Sequence, residues 1–111
     1  MAEEPRLTKK DARRLRSTIM SENAKARRPV DKAIANAEAA IEAHEHKLTK
    51  LNEEMVIAAQ EKNGTRIGAL SQSIHQCQSL IEEAYASLEP LYQKKERLEA
   101  ELAKKLAGLE E

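Results

Sequence analysis

The chain has 111 residues, a length that suits one small domain, and its 19 Lys+Arg balance 19 Asp+Glu. It contains 18 Ala but no Phe or Trp, so it lacks the large side chains that normally fill a compact globular core. This composition favours long helices or a coiled coil. No stretch approaches the roughly 18–20 apolar residues of a membrane span, and the N-terminus lacks the layout of a signal peptide. The single cysteine suits a reducing compartment, so we expect a cytoplasmic protein.

The first 28 residues are predicted to form a flexible leader, residues 1–7, and a basic amphipathic helix, residues 8–28. Thr8 followed by Asp11 resembles a helix-capping box. An apolar stripe from Ala12 to Ala26 should pack on the far end of the second helix, near Leu106. Pro29 disfavours helical geometry at the residue before it, so a kink or break is expected there.

Charge is distributed unevenly along the chain. Residues 5–28 contain nine basic and two acidic residues, a net charge of +7, whereas residues 30–111 contain ten basic and fifteen acidic residues, a net charge of −5. This asymmetry suggests a basic segment that faces a polyanion, followed by an acidic shaft. A solvent-exposed helix face would give the same pattern.

Two apolar stripes with alternating spacings of four and three residues are the strongest signal in the sequence. The first runs from Val30 to Ala58 and the second from Ile67 to Leu102. This spacing is typical of a left-handed coiled coil. We therefore predict an all-α fold: an antiparallel two-helix coiled-coil hairpin over residues 29–111, preceded by the short basic amphipathic helix.

The tip of the hairpin is predicted at about residues 62–66. Gly64 is expected to end the first helix in a left-handed conformation, and Thr65 to cap the second. Antiparallel pairing across this turn matches residues whose numbers sum to about 128–129, which places His44 opposite Ala84. Pro90 lies inside the second helix, where it removes a backbone hydrogen bond and should bend the helix.

Residues for catalysis are not apparent. The turn at Asn63-Gly64 is not a nucleotide-binding loop, and His44 and His46 are too close in sequence to share a helix face as metal ligands. Cys77 falls on the second stripe as a small apolar residue with no nearby base to activate it. We expect no enzymatic activity, no metal and no cofactor in this chain.

Two segments resemble the C-terminal extension of ABC-F ATPases, which are ATP-binding-cassette proteins without membrane domains. The first is Leu7-Thr8-Lys9-Lys10-Asp11-Ala12-Arg13-Arg14, followed by Pro29 and the first stripe. The second is Leu91-Tyr92-Gln93-Lys94-Lys95-Glu96-Arg97-Leu98-Glu99, in which Lys95 replaces a Trp that is common in the family. The resemblance implies a detached domain of an ATPase whose cassettes would bind ATP and magnesium.

It also implies binding to nucleic acid, either DNA or ribosomal RNA, through phosphate contacts. The expected contact residues are the cations of the basic helix and two at the tip: Lys9, Lys10, Arg13, Arg14, Arg16, Lys25, Arg27, Arg28, Lys62 and Arg66. The alternative is a structural or protein-interaction hairpin that binds no nucleic acid, either a spacer or a dimerisation module that forms a homodimer. A third hypothesis, an RNA-binding arm with cations along its shaft and tip, fits the charge distribution less well.

Overall fold

The computed structural model describes residues 7–110, with side chains described through residue 109. Two long helices account for nearly all of these residues: α1, Lys9–Gln60, and α2, Gly64–Glu110. The helices pack against each other across a three-residue connection, and this confirms the predicted all-α helical hairpin. Residues 1–6 of the predicted leader lie outside the described residues.

Capping fixes where α1 begins. The backbone N–H of Asp11 donates a hydrogen bond of 3.1 Å to the Thr8 hydroxyl, so Thr8 occupies the N-cap position as predicted. The carboxylate of Asp11 lies in the first turn, where a negative charge interacts favourably with the helix dipole.

α1 runs through Pro29 without a break. Of the expected kink or break before Pro29, the break is therefore wrong, and the basic segment is continuous with the first helix of the hairpin. Packing against α2 compensates for the single backbone hydrogen bond that proline cannot make, since most helix stability in proteins comes from tertiary contacts. Pro90 lies inside α2 in the same way, as expected.

The turn between the helices differs from the predicted one. Lys62, not Gly64, adopts the left-handed conformation, with φ of 54°. The N–H groups of Lys62 and Asn63 donate to the carbonyls of Ala59 and Ala58, at 3.1 and 3.0 Å, which is the Schellman arrangement at a helix end. The Asn63 side chain then accepts a hydrogen bond of 3.1 Å from the N–H of Arg66, so Asn63, not Thr65, caps α2. Gly64 is the first residue of α2.

The apolar stripes form the helix interface. Among the side chains that the structure describes, every buried hydrophobic residue belongs to one of the two predicted stripes: Val30, Ile34, Ile41, Ala58, Leu70, Cys77 and Leu88. The stripes were therefore predicted correctly.

The predicted register, in which paired numbers sum to about 128–129, differs from the observed one. The Cys77 thiol donates to the His44 carbonyl at 3.0 Å, and the Asn23 amide donates to the Leu98 carbonyl at 3.0 Å, and both pairs of numbers sum to 121. The ion pair Arg27–Glu99 sums to 126 and the Tyr85–Glu45 hydrogen bond to 130, so the contacts spread around 124, the sum of the residue numbers at which α1 ends and α2 begins. The predicted sum is about four too high because the turn lies earlier in the chain than expected, and His44 lies beside Cys77.

The described contacts divide the chain into two compact units. One comprises the start of α1 and the end of α2, up to Lys32 and from Tyr92; the other is Ala33–Leu91. Both boundaries fall close to a proline, because Pro29 and Pro90 lie within three residues of them.

Candidate nucleic-acid interface

The two units carry opposite net charges. The described side chains of the first unit, residues 7–32 and 92–109, include fourteen basic and six acidic residues, a net charge of +8. We call this the basic unit. Residues 33–91 include four basic and nine acidic residues, a net charge of −5, and form the acidic unit. A polyanion would therefore be attracted to the basic unit specifically.

The predicted contact residues of α1 are mostly free to meet a partner. Seven of them are exposed to solvent, and no hydrogen bond or ion pair of theirs is found among the described side chains: Lys9, Lys10, Arg13, Arg14, Arg16, Lys25 and Arg28. At about 100° per residue, Lys10, Arg14, Lys25 and Arg28 fall within one 60° arc that faces away from the buried side of α1. This arc presents four cations to solvent.

Arg27 is placed differently from the other predicted cations. It is half-buried, and its guanidinium lies 3.5 Å from the Glu99 carboxylate and 4.0 Å from that of Asp31. The ammonium of Lys95 lies 3.6 Å from the same Asp31 carboxylate. These pairs are partly exposed, so each contributes at most about 1 kcal/mol to stability. Arg27 thus links α1 to α2 within the basic unit.

These ion pairs also explain why a lysine, Lys95, is tolerated on the second apolar stripe. Lys95 stands at a position where the stripe is otherwise apolar, and its side chain is 37% exposed. A long side chain in that position can bury its methylene groups at the interface and keep its ammonium in water beside Asp31. A charged residue is accommodated there without an unpaired buried charge.

α2 supplies cations that the sequence prediction missed. Lys94, Arg97, Lys104 and Lys105 are exposed and belong to the basic unit, together with Lys32 of α1. They were overlooked because charge was counted along the chain, where the end of α2 is averaged with the acidic shaft. Folding the chain back at the turn and counting charge for the packed segments together would have found them.

Two shallow grooves run between the helices of the basic unit. The first, of about 290 Å³, has Leu106 and Leu109 on one side and Lys9, Arg13 and Arg16 on the other. The second is lined by residues of the apolar stripe of the basic segment, such as Ile19, and by residues of the second stripe, such as Leu102. These grooves confirm that the apolar side of the basic segment lies on the far end of α2. Lys9, Arg13 and Arg16 therefore lie at the edge of the interface between α1 and α2.

The two predicted contacts near the turn lie in the acidic unit. Lys62 is exposed, and the Arg66 guanidinium lies 3.9 Å from the Glu54 carboxylate. Both ion-pair partners are about half exposed, so this pair is weak. The surrounding negative charge makes Lys62 and Arg66 poorer phosphate ligands than the cations of the basic unit.

Among residues 7–109, no group of three or more His, Cys, Asp or Glu side chains is arranged to hold a metal ion. Cys77 is buried at the interface, as its stripe position predicted. The Tyr85 hydroxyl donates to the Glu45 carboxylate at 3.1 Å, and this hydrogen bond raises the pKa of Tyr85 above its ordinary value.

The fold and charge distribution define a helical hairpin with one strongly basic unit. Comparison of the chain with protein-family models, with curated proteins and with solved structures found no match. None of the helices, over the part of the chain that the structure describes, is long and apolar enough to span a membrane.

Proposed function

We propose that this chain is a nucleic-acid-binding domain that contacts phosphates through its basic unit. The observation that carries the proposal is the net charge of +8 on the described residues of that unit, 7–32 and 92–109. With Arg6 and the four glutamates at positions 3, 4, 110 and 111 counted, the unit carries +5 in a chain whose overall net charge is zero. Lys and Arg side chains that meet phosphates release condensed counterions, which gives affinity with little dependence on sequence. The contacts would come chiefly from the exposed cations of α1, such as Lys10, Arg14, Lys25 and Arg28.

The nature of these residues favours the nucleic-acid backbone over the bases. Tyr92 is the one aromatic residue in the basic unit, so successive bases have no series of rings to stack on. On this proposal the chain recognises the shape and charge of DNA or ribosomal RNA.

The family resemblance supports a more specific form of the proposal, in which the chain is the C-terminal domain of a cytoplasmic ABC-F ATPase. The ATPase cassettes of the same protein would then be its covalent partners and would bind ATP and magnesium. Sequencing the gene upstream of Met1 tests this form directly. Two Walker motifs in the same reading frame would support it, and an unrelated upstream sequence would refute it.

A matched pair of double variants tests nucleic-acid binding itself. Fluorescence anisotropy would measure the affinity of labelled duplex DNA and structured RNA for the 111-residue chain and two variants. Lys10→Gln/Lys25→Gln removes two exposed lysines of the basic unit, and Lys47→Gln/Lys50→Gln removes two exposed lysines of the acidic unit. Both substitutions change the chain's net charge equally, so only their position differs.

The expected loss follows from counterion release. A phosphate contact contributes about −0.9 to the slope of log affinity against log salt concentration, which is about eightfold in affinity at 0.1 M salt. Lys10→Gln/Lys25→Gln should therefore weaken binding by at least eightfold, whereas Lys47→Gln/Lys50→Gln should change it less than twofold. Equal effects of the two variants would contradict the proposed surface, and no binding of either nucleic acid would refute the function.

A spacer or dimerisation hairpin remains the second candidate. Val56 and Ile57 of the acidic unit are 58% and 51% exposed, and adjacent large apolar residues on a surface suit a protein partner. Light scattering distinguishes the candidates. A stable dimer that has no affinity for nucleic acid would favour this one.

A further inference from the structure

We propose that the outward face of α1 in the basic unit inserts into the major groove of duplex DNA. This face is the side of α1 that points away from α2, and it consists of Lys10, Arg14, Ser17, Ser21, Lys25 and Arg28. The inference rests on the proposed function and deepens it, because it names duplex DNA, and not RNA, as the partner.

The outward face lies opposite the contacts between α1 and α2. The Asn23 amide, which donates to the Leu98 carbonyl, belongs to the apolar stripe of α1, so α2 lies on that side. At about 100° per residue, the six residues of the outward face fall within an arc of about 80°, and the centre of this arc is about 180° from the stripe. All six side chains are exposed. The described part of α2 therefore leaves this face open to a partner.

Among residues 9–32, no carboxylate lies on the outward face. The three acidic residues of this segment, Asp11, Glu22 and Asp31, are each about 80–100° from the centre of the face. The Asp31 carboxylate also lies 3.6 Å from the ammonium of Lys95, on α2. A phosphate that approaches the outward face thus meets positive charge without a competing anion.

Side-chain length varies along the outward face in a way that fits a convex partner. Two cations at each end enclose a short, uncharged centre formed by Ser17 and Ser21. Lys10 and Arg28 are eighteen residues apart, about 27 Å along the axis, and the serines lie at the middle of this span. A straight helix that lies across a cylindrical duplex is closest to it at one point and rises away from it on both sides. Short side chains at the closest point and long cations toward both ends match this shape.

The major groove of B-DNA has room for α1. The groove is about 12 Å wide and 8.5 Å deep, and a helix with its side chains is about 10–12 Å across. Ser17 and Ser21 can form hydrogen bonds with the edges of different bases, so close approach requires no particular sequence. The long cations would contact phosphates along the groove. The major groove of an RNA duplex is too deep and narrow for side chains to read, so the same face cannot insert there.

Two variants of equal charge test the outward face. Arg14→Gln/Lys25→Gln removes one arginine and one lysine from this face, and Arg97→Gln/Lys104→Gln removes one of each from the side of α2 that points away from α1. Both changes lie in the basic unit and lower its net charge equally. Each variant would be titrated, over a range of salt concentrations, with a labelled DNA duplex of about 20 base pairs, which is longer than the face. Far-ultraviolet circular dichroism would verify that both variants keep the helix content of the parent chain.

Duplexes of one sequence test insertion into the groove. The parent chain would be titrated with unmodified DNA, with DNA that contains glucosylated 5-hydroxymethylcytosine in place of cytosine, and with an RNA duplex. The glucose is uncharged and lies in the major groove, so it obstructs insertion without altering the phosphates.

The expected loss for Arg14→Gln/Lys25→Gln is about eightfold to sixtyfold in affinity for unmodified DNA at about 0.1 M salt, with a salt slope shallower by about 1.8. Arg97→Gln/Lys104→Gln should weaken binding by less than about threefold, because it changes the field of the unit but removes no phosphate contact. The parent chain should bind the glucosylated DNA and the RNA duplex at least about eightfold more weakly than unmodified DNA, since each prevents at least one phosphate contact.

Equal losses in the two variants would overturn the assignment to the outward face of α1. Equal affinity for unmodified and glucosylated DNA, or for the DNA and RNA duplexes, would overturn insertion into the major groove. Either result would leave the proposed function intact. Absence of binding to all of the duplexes would overturn both proposals.

Discussion

Replacing Pro29 with alanine should stabilise the protein, because α1 is continuous at this position. Proline in a helix interior removes one backbone hydrogen bond and its ring clashes with the preceding turn; here the affected carbonyl is that of Lys25. Pro29 is exposed, so the smaller alanine side chain leaves no cavity in the interface. The substitution therefore acts on the backbone alone.

The size of the effect can be worked out from helix propensities. Proline in a helix interior is about 3 kcal/mol less favourable than alanine. An entropy of unfolding of about 2.1 cal/mol/K per residue gives about 0.23 kcal/mol/K for this chain, so 3 kcal/mol corresponds to an increase in Tm of about 13 °C. Ser17→Ala at another exposed position of α1 is the matched control, and its difference in propensity of about 0.5 kcal/mol corresponds to about 2 °C.

Thermal unfolding followed by far-ultraviolet circular dichroism measures both variants. An increase for Pro29→Ala that clearly exceeds that of Ser17→Ala would support a continuous helix. If a new helix instead began at Pro29, proline would occupy a favourable first position and alanine would be neutral or destabilising. A Tm equal to or below that of the parent chain would therefore refute the reasoning.

Two further predictions concern contacts in the acidic unit. Asn63→Ala removes the side chain that caps α2 and should cost about 1 kcal/mol, or about 4 °C in Tm, whereas Asn63→Asp should retain most of the stability; equal loss in both variants would contradict the capping role. The raised pKa of Tyr85 means that the Tyr85–Glu45 hydrogen bond stabilises the fold below about pH 10 and is lost as the pH rises through the folded-state pKa. In a tyrosinate absorbance titration, Glu45→Gln should lower the pKa of Tyr85, and Tyr85→Phe should remove that transition and so assign it; an unchanged titration of Glu45→Gln would contradict the contact.

The apolar stripes could be predicted from the sequence because their physical basis is local. A residue such as Ile41 or Leu70 is buried because the spacing of four and three keeps it on the side of the helix that faces the partner. The cap at Thr8 is equally local, since the accepting hydroxyl and the donating N–H are three residues apart.

The register could not be predicted in this way. The register depends on how Lys62 and Asn63 close the turn. Lys62 adopts the left-handed conformation, which glycine adopts far more readily, although Gly64 is only two residues away. The arrangement is stabilised because Asn63 contributes to both helix ends, as a donor to Ala58 and as the cap of α2. A sequence pattern that assigns the left-handed position to glycine moves the turn, and every cross-helix pair moves with it.

The candidate interface shows the same distinction between local and long-range information. The cations of α1 form a conspicuous run in the sequence, whereas those of α2 lie among acidic residues and are brought beside α1 only by folding. Electrostatic attraction acts over about 8–10 Å at physiological salt, so it depends on which charges are neighbours in space and not on their order in the chain. The end of α2, residues 92–109, adds five basic and three acidic residues to the basic unit. One of the basic residues is Lys95, and one of the acidic residues, Glu99, is paired with Arg27 of α1. The balance of nineteen cations and nineteen anions therefore conceals a basic unit to which both helices contribute cations.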